Sequence, residues 1–371
     1  MRGPDDVVDA ARGYWQRRGL PTGAEQVVYA PAAGVLLLAV LAATGPRGVL
    51  LPRPGPPWHA EQARLLGRAV HLLPTPAECG GVPDPFVLLE TVRRERAAGG
   101  DPGVLVLSVA DDPTGTVPPP ELLHEVCEAA AEAGLLVVSD ESWRDTVHDP
   151  HGTVIVSPAE ILHAPGAPDA EGVVLLTDLS PRLPPPYPAR ARSAPALARL
   201  PGTARGRELA DAVRGVLTAL RLPEPAAATA ARSAAALAET ADRGAERASV
   251  ARAHGRHAAA LCQAVTAAGG LCRPPQAGRH LYPDLEPLRG RLAERGVRDA
   301  ATLEAALVPR LGSAVLGGHR FGDDPHALRV RLATTAPPHW APGGPLPEPR
   351  AGAEALARVE AALADLTGSE G

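Results

Sequence analysis

Three short segments gather side chains able to move protons or hold a small anion. The turn Asp111-Asp112-Pro113-Thr114-Gly115-Thr116 sets two carboxylates beside two hydroxyls. The run Val137-Val138-Ser139-Asp140-Glu141-Ser142-Trp143 ends an apolar stretch on an aspartate, with an indole three residues on. Thr177-Asp178-Leu179-Ser180-Pro181-Arg182 closes a third apolar run in the same way. Arg190, Arg329 and Arg331 add guanidiniums, whose planar forks match carboxylates. Carboxylates near arginines can do acid/base work on an anionic amino or keto acid. One chemistry is excluded. All 37 residues in the Lys-plus-Arg count are arginine, so no side-chain amine is present to form a Schiff base, and a guanidinium stays protonated and delocalised. Asparagine is absent too, which points to a coding bias across the whole chain.

The remaining clusters carry less. His254 and His257 share a helical face and read as exposed helix histidines with no metal partners, and His148-Asp149-Pro150-His151 reads as a turn. Cys79, Cys127, Cys262 and Cys272 show no metal spacing and read as isolated reduced thiols, and no metal site is expected.

The elements that would position these groups alternate along the chain. Apolar, β-rich runs at 26–30, 48–52, 69–73, 103–109, 134–139 and 172–177 read as strands, with helices at 58–67, 84–98 and 119–133 between them. The greasy stretch 32–43 reads as a buried helix. This rhythm predicts an α/β fold, a mostly parallel sheet with helices on both faces, whose ligand crevice opens at the C-terminal strand ends. The loops after Val109, Ser139 and Thr177 are therefore where chemistry is expected. The stretch 183–188 is a proline-rich turn, and 203–268 is helical, broken at Pro223 and Pro225. A smaller α/β unit follows, with strands at 279–285, near 314 and at 328–333, and helices at 288–295, 300–311 and 351–366; the tract 337–349 is Pro/Gly-rich loop. Two domains are expected, residues 1–240 and 241–371.

A length of 371 residues, 45% hydrophobic, suffices for a large core, and a net charge of −5 with no basic stripe argues against nucleic acid and anionic membrane as partners. No apolar signal region is read at the N-terminus and no stretch is long enough to span a bilayer, so a cytoplasmic protein is expected.

These motifs, in this order, resemble the class I/II aminotransferases, the fold type I pyridoxal-phosphate-dependent enzymes. The resemblance implies a large mostly parallel sheet domain plus a smaller C-terminal α/β domain, and pyridoxal phosphate as cofactor. It makes Asp112 the counterpart of the asparagine on the cofactor's phenolic oxygen. Asp140 matches the aspartate facing the pyridinium nitrogen, and Trp143 replaces a tyrosine partner of the phenolic oxygen. Ser180 falls in the serine-lysine motif, with the lysine position occupied by Arg182 or Pro181, and Arg190 stands at the phosphate-binding arginine. Ala30-Pro31-Ala32-Ala33-Gly34 matches the phosphate cradle, although Pro31 lacks a donor there, and Pro56 or Trp58 takes the stacking aromatic's place. Arg329 matches the substrate-carboxylate arginine, Arg331 sharing its strand face, and His280 is a pocket residue. A member so altered is expected to be degenerate as a transaminase, to bind pyridoxal phosphate non-covalently if at all, and to act as a homodimer or as a heterodimer with a competent homologue in a partner or regulatory role. The alternative is an enzyme with altered chemistry on a small amino or keto acid.

Overall fold

A computed structural model describes residues 4–162, 172–180, 194–223, 225–238, 240–312, 315–334 and 349–368. Pro181, Arg182, Arg190, the proline-rich turn at 183–188 and the tract 337–348 lie outside the described residues.

Seven strands form the main sheet: β1 (Val27–Ala30), β2 (Gly48–Arg53), β3 (Val70–Pro74), β4 (Pro102–Ser108), β5 (Leu136–Asp140), β6 (Val173–Asp178) and β7 (Ala196–Arg199). Their spatial order is β1-β7-β6-β5-β4-β2-β3. Strands β2 to β6 run parallel, and β7 is antiparallel to both of its neighbours. Such a sheet is buried on both sides, which is why β4 is apolar at nearly every position rather than alternating. Its odd and even residues feed two cores: Leu105 and Leu107 pack on one face, Val104 and Val106 on the other. The helix Ala33–Ala43 lies in the second core, where Leu36, Leu37, Val40 and Leu41 are fully buried. Burying each such side chain contributes roughly 1.5–3 kcal/mol.

β7 was not expected from the sequence. Its residues, Ala-Leu-Ala-Arg, have weak strand propensity, but each is buried, and pairing on both edges fixes them in the sheet. Arg199 stays inside because its guanidinium donates to Thr22 Oγ1 and Pro21 O.

The C-terminal residues build a second sheet from β8 (His280–Leu281), β9 (Leu316–Gly317) and β10 (Val330–Ala333), ordered β8-β10-β9 and antiparallel. The strand expected over 279–285 is therefore only two residues long. A third core, including Leu281, Leu292, Leu303, Leu307 and Leu363, packs this sheet against the helices Ala241–Ala267, Ala300–Leu311 and Pro349–Thr367.

The two sheets meet at the Asp111–Val117 turn. Gly115 has φ +69°, and a Cβ there would fall 2.5 Å from Pro275 Cβ and 2.8 Å from Ala277 O. Only glycine allows both the backbone conformation and this approach. Its carbonyl accepts from the N–H groups of Gln276 and Ala277, and Val117 N donates to Gln276 Oε1. The next helix starts at Pro120, and Thr116 hydrogen-bonds Thr114.

His254 corrects the expectation of exposed helix histidines. It is buried, and His257 is half-buried, because the loop around His148 and Arg279 covers that helix face. Cys262 is not isolated either, since its thiol donates to Cys272 O. Among the described residues no group of three or more His, Cys, Asp or Glu is placed to hold a metal, and no helix is long and apolar enough to cross a membrane.

Candidate functional site

The parallel ladder brings the ends of β4, β5 and β6 side by side: Ser108 pairs with Asp140, and Asp140 with Leu176, two residues before Asp178. Just beyond these ends lies a cavity of about 470 Å³. Ser108, Asp140 and Asp178 form its floor, Ala32 to Val35 at the N-terminus of the helix Ala33–Ala43 form one wall, and Pro56, Trp58, Asp112, Ser142, Trp143 and Ser180 complete it. The sheet thus opens where its topology predicts.

Asp140 is held from several sides. Its Oδ1 accepts from the Ser142 hydroxyl and, at 2.9 Å, from Ser142 N. Its Oδ2 lies 3.1 Å from His59 Nε2, a buried imidazole brought in by the helix Pro57–Leu65. The loop after β5 is anchored behind it by Glu141, which pairs with Arg18 at 2.7 Å, while Glu160 pairs with both Arg18 and Arg144. A buried ion pair of this kind is costly to break from one side, so it holds the loop after β5 in place. Among the described residues no cation pairs with Asp178. Burial raises its carboxyl to about 6, against the N–H donated by Ser180 and with reinforcement from Asp140.

The charge pattern is decided at Asp112. Arg331 Nη1 on β10 reaches both of its oxygens, at 2.7 and 2.9 Å, and His280 Nδ1 lies 3.6 Å away. Burial opposes ionisation of Asp112, but Arg331, His280 and His59 outweigh it and hold the carboxyl below the ordinary carboxylate range. Burial is also the largest influence on His280, lowering it to about 4 with help from Arg331 and Arg279 and against the pull of Asp112. The imidazole therefore stands neutral at pH 7, edge-on to Trp143 with ring centroids 5.8 Å apart. Arg331 also lies over the Phe321 ring, 4.9 Å from its centroid.

Of the residues singled out in the sequence, Asp112, Asp140, Trp143 and Ser180 line one cavity, and His280 abuts it through Asp112 and Trp143. Arg329 does not reach it. Its guanidinium pairs with Asp284 at 2.9 Å and Asp323 at 3.2 Å beside a neighbouring cavity, and Arg331 is the arginine that meets Asp112. His59 was not anticipated, and Asp178, although it closes the third apolar run, was given no role. A strand-end aspartate level with Asp140 was a usable signal for Asp178, whereas His59 had none beyond its place after Trp58. Both Pro56 and Trp58 line the wall, so neither displaces the other.

The family model for aminotransferase class I and II matches residues 1–177. A bifunctional aspartate aminotransferase and glutamate/aspartate-prephenate aminotransferase from Petunia hybrida is 32% identical over 138 residues. That match covers 36% of this chain and only 28% of the petunia protein. The aspartate aminotransferase from Rhizobium meliloti superposes with a TM-score of 0.77 at 20% identity, over 98% of this chain and 82% of that one. N-succinyldiaminopimelate aminotransferase from Mycobacterium tuberculosis gives 0.75 at 20%, over 96% and 83%. The family model thus reaches slightly under half of the chain, while the seven-stranded order and the small C-terminal sheet share the fold of these solved aminotransferases.

Proposed function

We propose that this chain is a non-transaminating member of the class I and II aminotransferase family, acting as a partner or regulatory subunit, as a homodimer or beside a competent homologue. Likeness to the class I and II aminotransferases implies pyridoxal phosphate as the ancestral cofactor. The residues present match that group in part: Asp140 could face a ring nitrogen, and the N–H groups at the start of the helix Ala33–Ala43 could meet a phosphate. They do not fit it as the family holds it. No lysine exists to bind it covalently, and the ionised Asp112 would repel a phenolate-like oxygen.

The observation carrying this reading is the Arg331–Asp112 pair. Among the described residues, Arg331 reaches the cavity-lining Asp112, so its guanidinium already holds a carboxylate supplied by the chain itself. The test is to add pyridoxal phosphate to the purified protein, record the visible spectrum with and without borohydride, and take the intact mass. No mass increase after reduction is expected, together with no transamination between amino and keto acids. A borohydride-fixed adduct accompanied by turnover would overturn the proposal.

Asp178 supports a second reading, an enzyme of altered chemistry on a small amino or keto acid. Its carboxyl, raised to about 6 at the cavity floor, could exchange a proton near neutral pH. Asp178→Asn would then abolish any turnover found while leaving the fold intact.

A further inference from the structure

Asp111 and Asp112 are consecutive, yet they serve different cavities. Asp112 meets Arg331 and His280, whereas Asp111 opens on a second cavity of about 740 Å³ between the main sheet and the C-terminal unit. Pro54, Pro76 and Leu271 give this cavity apolar walls, and the volume falls in the ordinary range for small-molecule pockets.

Its polar groups are nearly all committed to one another. Arg329 is bound to Asp284 and Asp323, the Tyr282 hydroxyl donates to Asp323 at 2.9 Å, and Arg273 at the rim donates to Ala77 O. Asp111 is the exception. It is only 5% exposed, its Oδ2 accepts from the Thr114 hydroxyl at 2.6 Å, and its Oδ1 accepts no hydrogen bond from the described residues. Among the described residues no cation pairs with it. Gly81, with φ +98°, closes the near side so tightly that a Cβ there would lie 2.5 Å from Asp111 Cβ. Burial raises the carboxyl to about 7, with Asp112 and Asp140 adding repulsion and the Thr114 hydrogen bonds opposing. The lining counts three carboxylates against two guanidiniums, which leaves one negative charge without a partner. A buried carboxylate of this kind is stabilised by the counter-charge it lacks.

We propose that this cavity binds a small organic ammonium ion, its charge on Asp111 Oδ1 and its apolar body against Pro54, Pro76 and Leu271. The site is separate from the cavity at the strand ends, so it stands whether or not pyridoxal phosphate binds. The full chain, with no pyridoxal phosphate added, would be titrated calorimetrically at pH 8 with benzylamine, and in parallel with benzyl alcohol and benzoate. Saturable one-to-one binding of benzylamine is expected, at least about tenfold tighter than either control, as befits a charge-assisted hydrogen bond. Asp111→Asn, nearly the same shape, should weaken it at least about tenfold. Ala77→Trp, at an exposed position on the cavity wall, should abolish it without touching the core. Failure of benzylamine to saturate, equal affinity for the alcohol, or unchanged binding in either variant would overturn the proposal.

Discussion

Breaking the Arg331–Asp112 pair gives a direct measure of how firmly the C-terminal sheet is latched to the main one. The two contacts, 2.7 and 2.9 Å, are made by side chains only 15% and 16% exposed. With charge centres about 4 Å apart and an effective dielectric constant of about 20, the attraction is about 4 kcal/mol. Desolvation of both groups offsets about half, so a double-mutant cycle of Asp112→Ala and Arg331→Met should give a coupling of about 2 kcal/mol. Asp112→Ala alone should cost about 3 kcal/mol, because it strands a guanidinium against Phe321. The assay is urea unfolding of the four proteins. The sign of the pH dependence follows from the depressed Asp112 carboxyl: its contribution is present above the unfolded value, near 4, and is lost as pH falls through the lower folded value. The coupling should therefore be the same at pH 8 and pH 5. A coupling under about 0.5 kcal/mol would refute the latch and with it the claim that Asp112 fills the seat of an external carboxylate.

Asp111 works in the opposite sense. Its folded value of about 7 exceeds the unfolded one, so its stabilising contribution is complete below pH 4 and is lost as pH rises through 7, at up to about 1.4 kcal/mol per unit. Asp111→Asn should flatten that slope in urea titrations run from pH 4 to pH 8. His254, lowered by burial to about 3 with Arg279 and His148 adding to it, contributes stability that is complete above the unfolded value near 6.5 and lost as pH falls toward 3. His254→Gln should accordingly shift the acid-unfolding midpoint downward, and no shift would mean the imidazole is not held neutral. Gly115→Ala should destabilise by about 2 kcal/mol or more in thermal or urea unfolding, since it adds both strain at positive φ and a clash with Pro275 and Ala277.

What the residues disclosed beforehand and what they withheld divide along physical lines. Strands β2 and β4 to β6 were legible because burial on both faces demands unbroken apolar runs, and Asp140 was legible because a polar residue ending such a run must lie at the strand's end. β7 was hidden because its pairing partners, not its own Ala-rich residues, make it a strand. His254 was misjudged for a related reason: helical spacing says which residues share a face, but only the fold brings Arg279 and His148 over that face. The arginines on the last strand are the sharpest case. Arg329 and Arg331 share a strand face by periodicity, so spacing could not separate them. The chain does so by depth, because Arg329 lies outside β10, bridged to Asp284, while Arg331 lies within it and reaches across to Asp112. That reach also explains Asp112. An asparagine there would leave Arg331 with an amide oxygen for a partner and its charge available to a ligand, whereas an aspartate neutralises it from within. Asp112 and Asp140, read separately in the sequence, thus line one cavity, with Arg331 bound to the first of them.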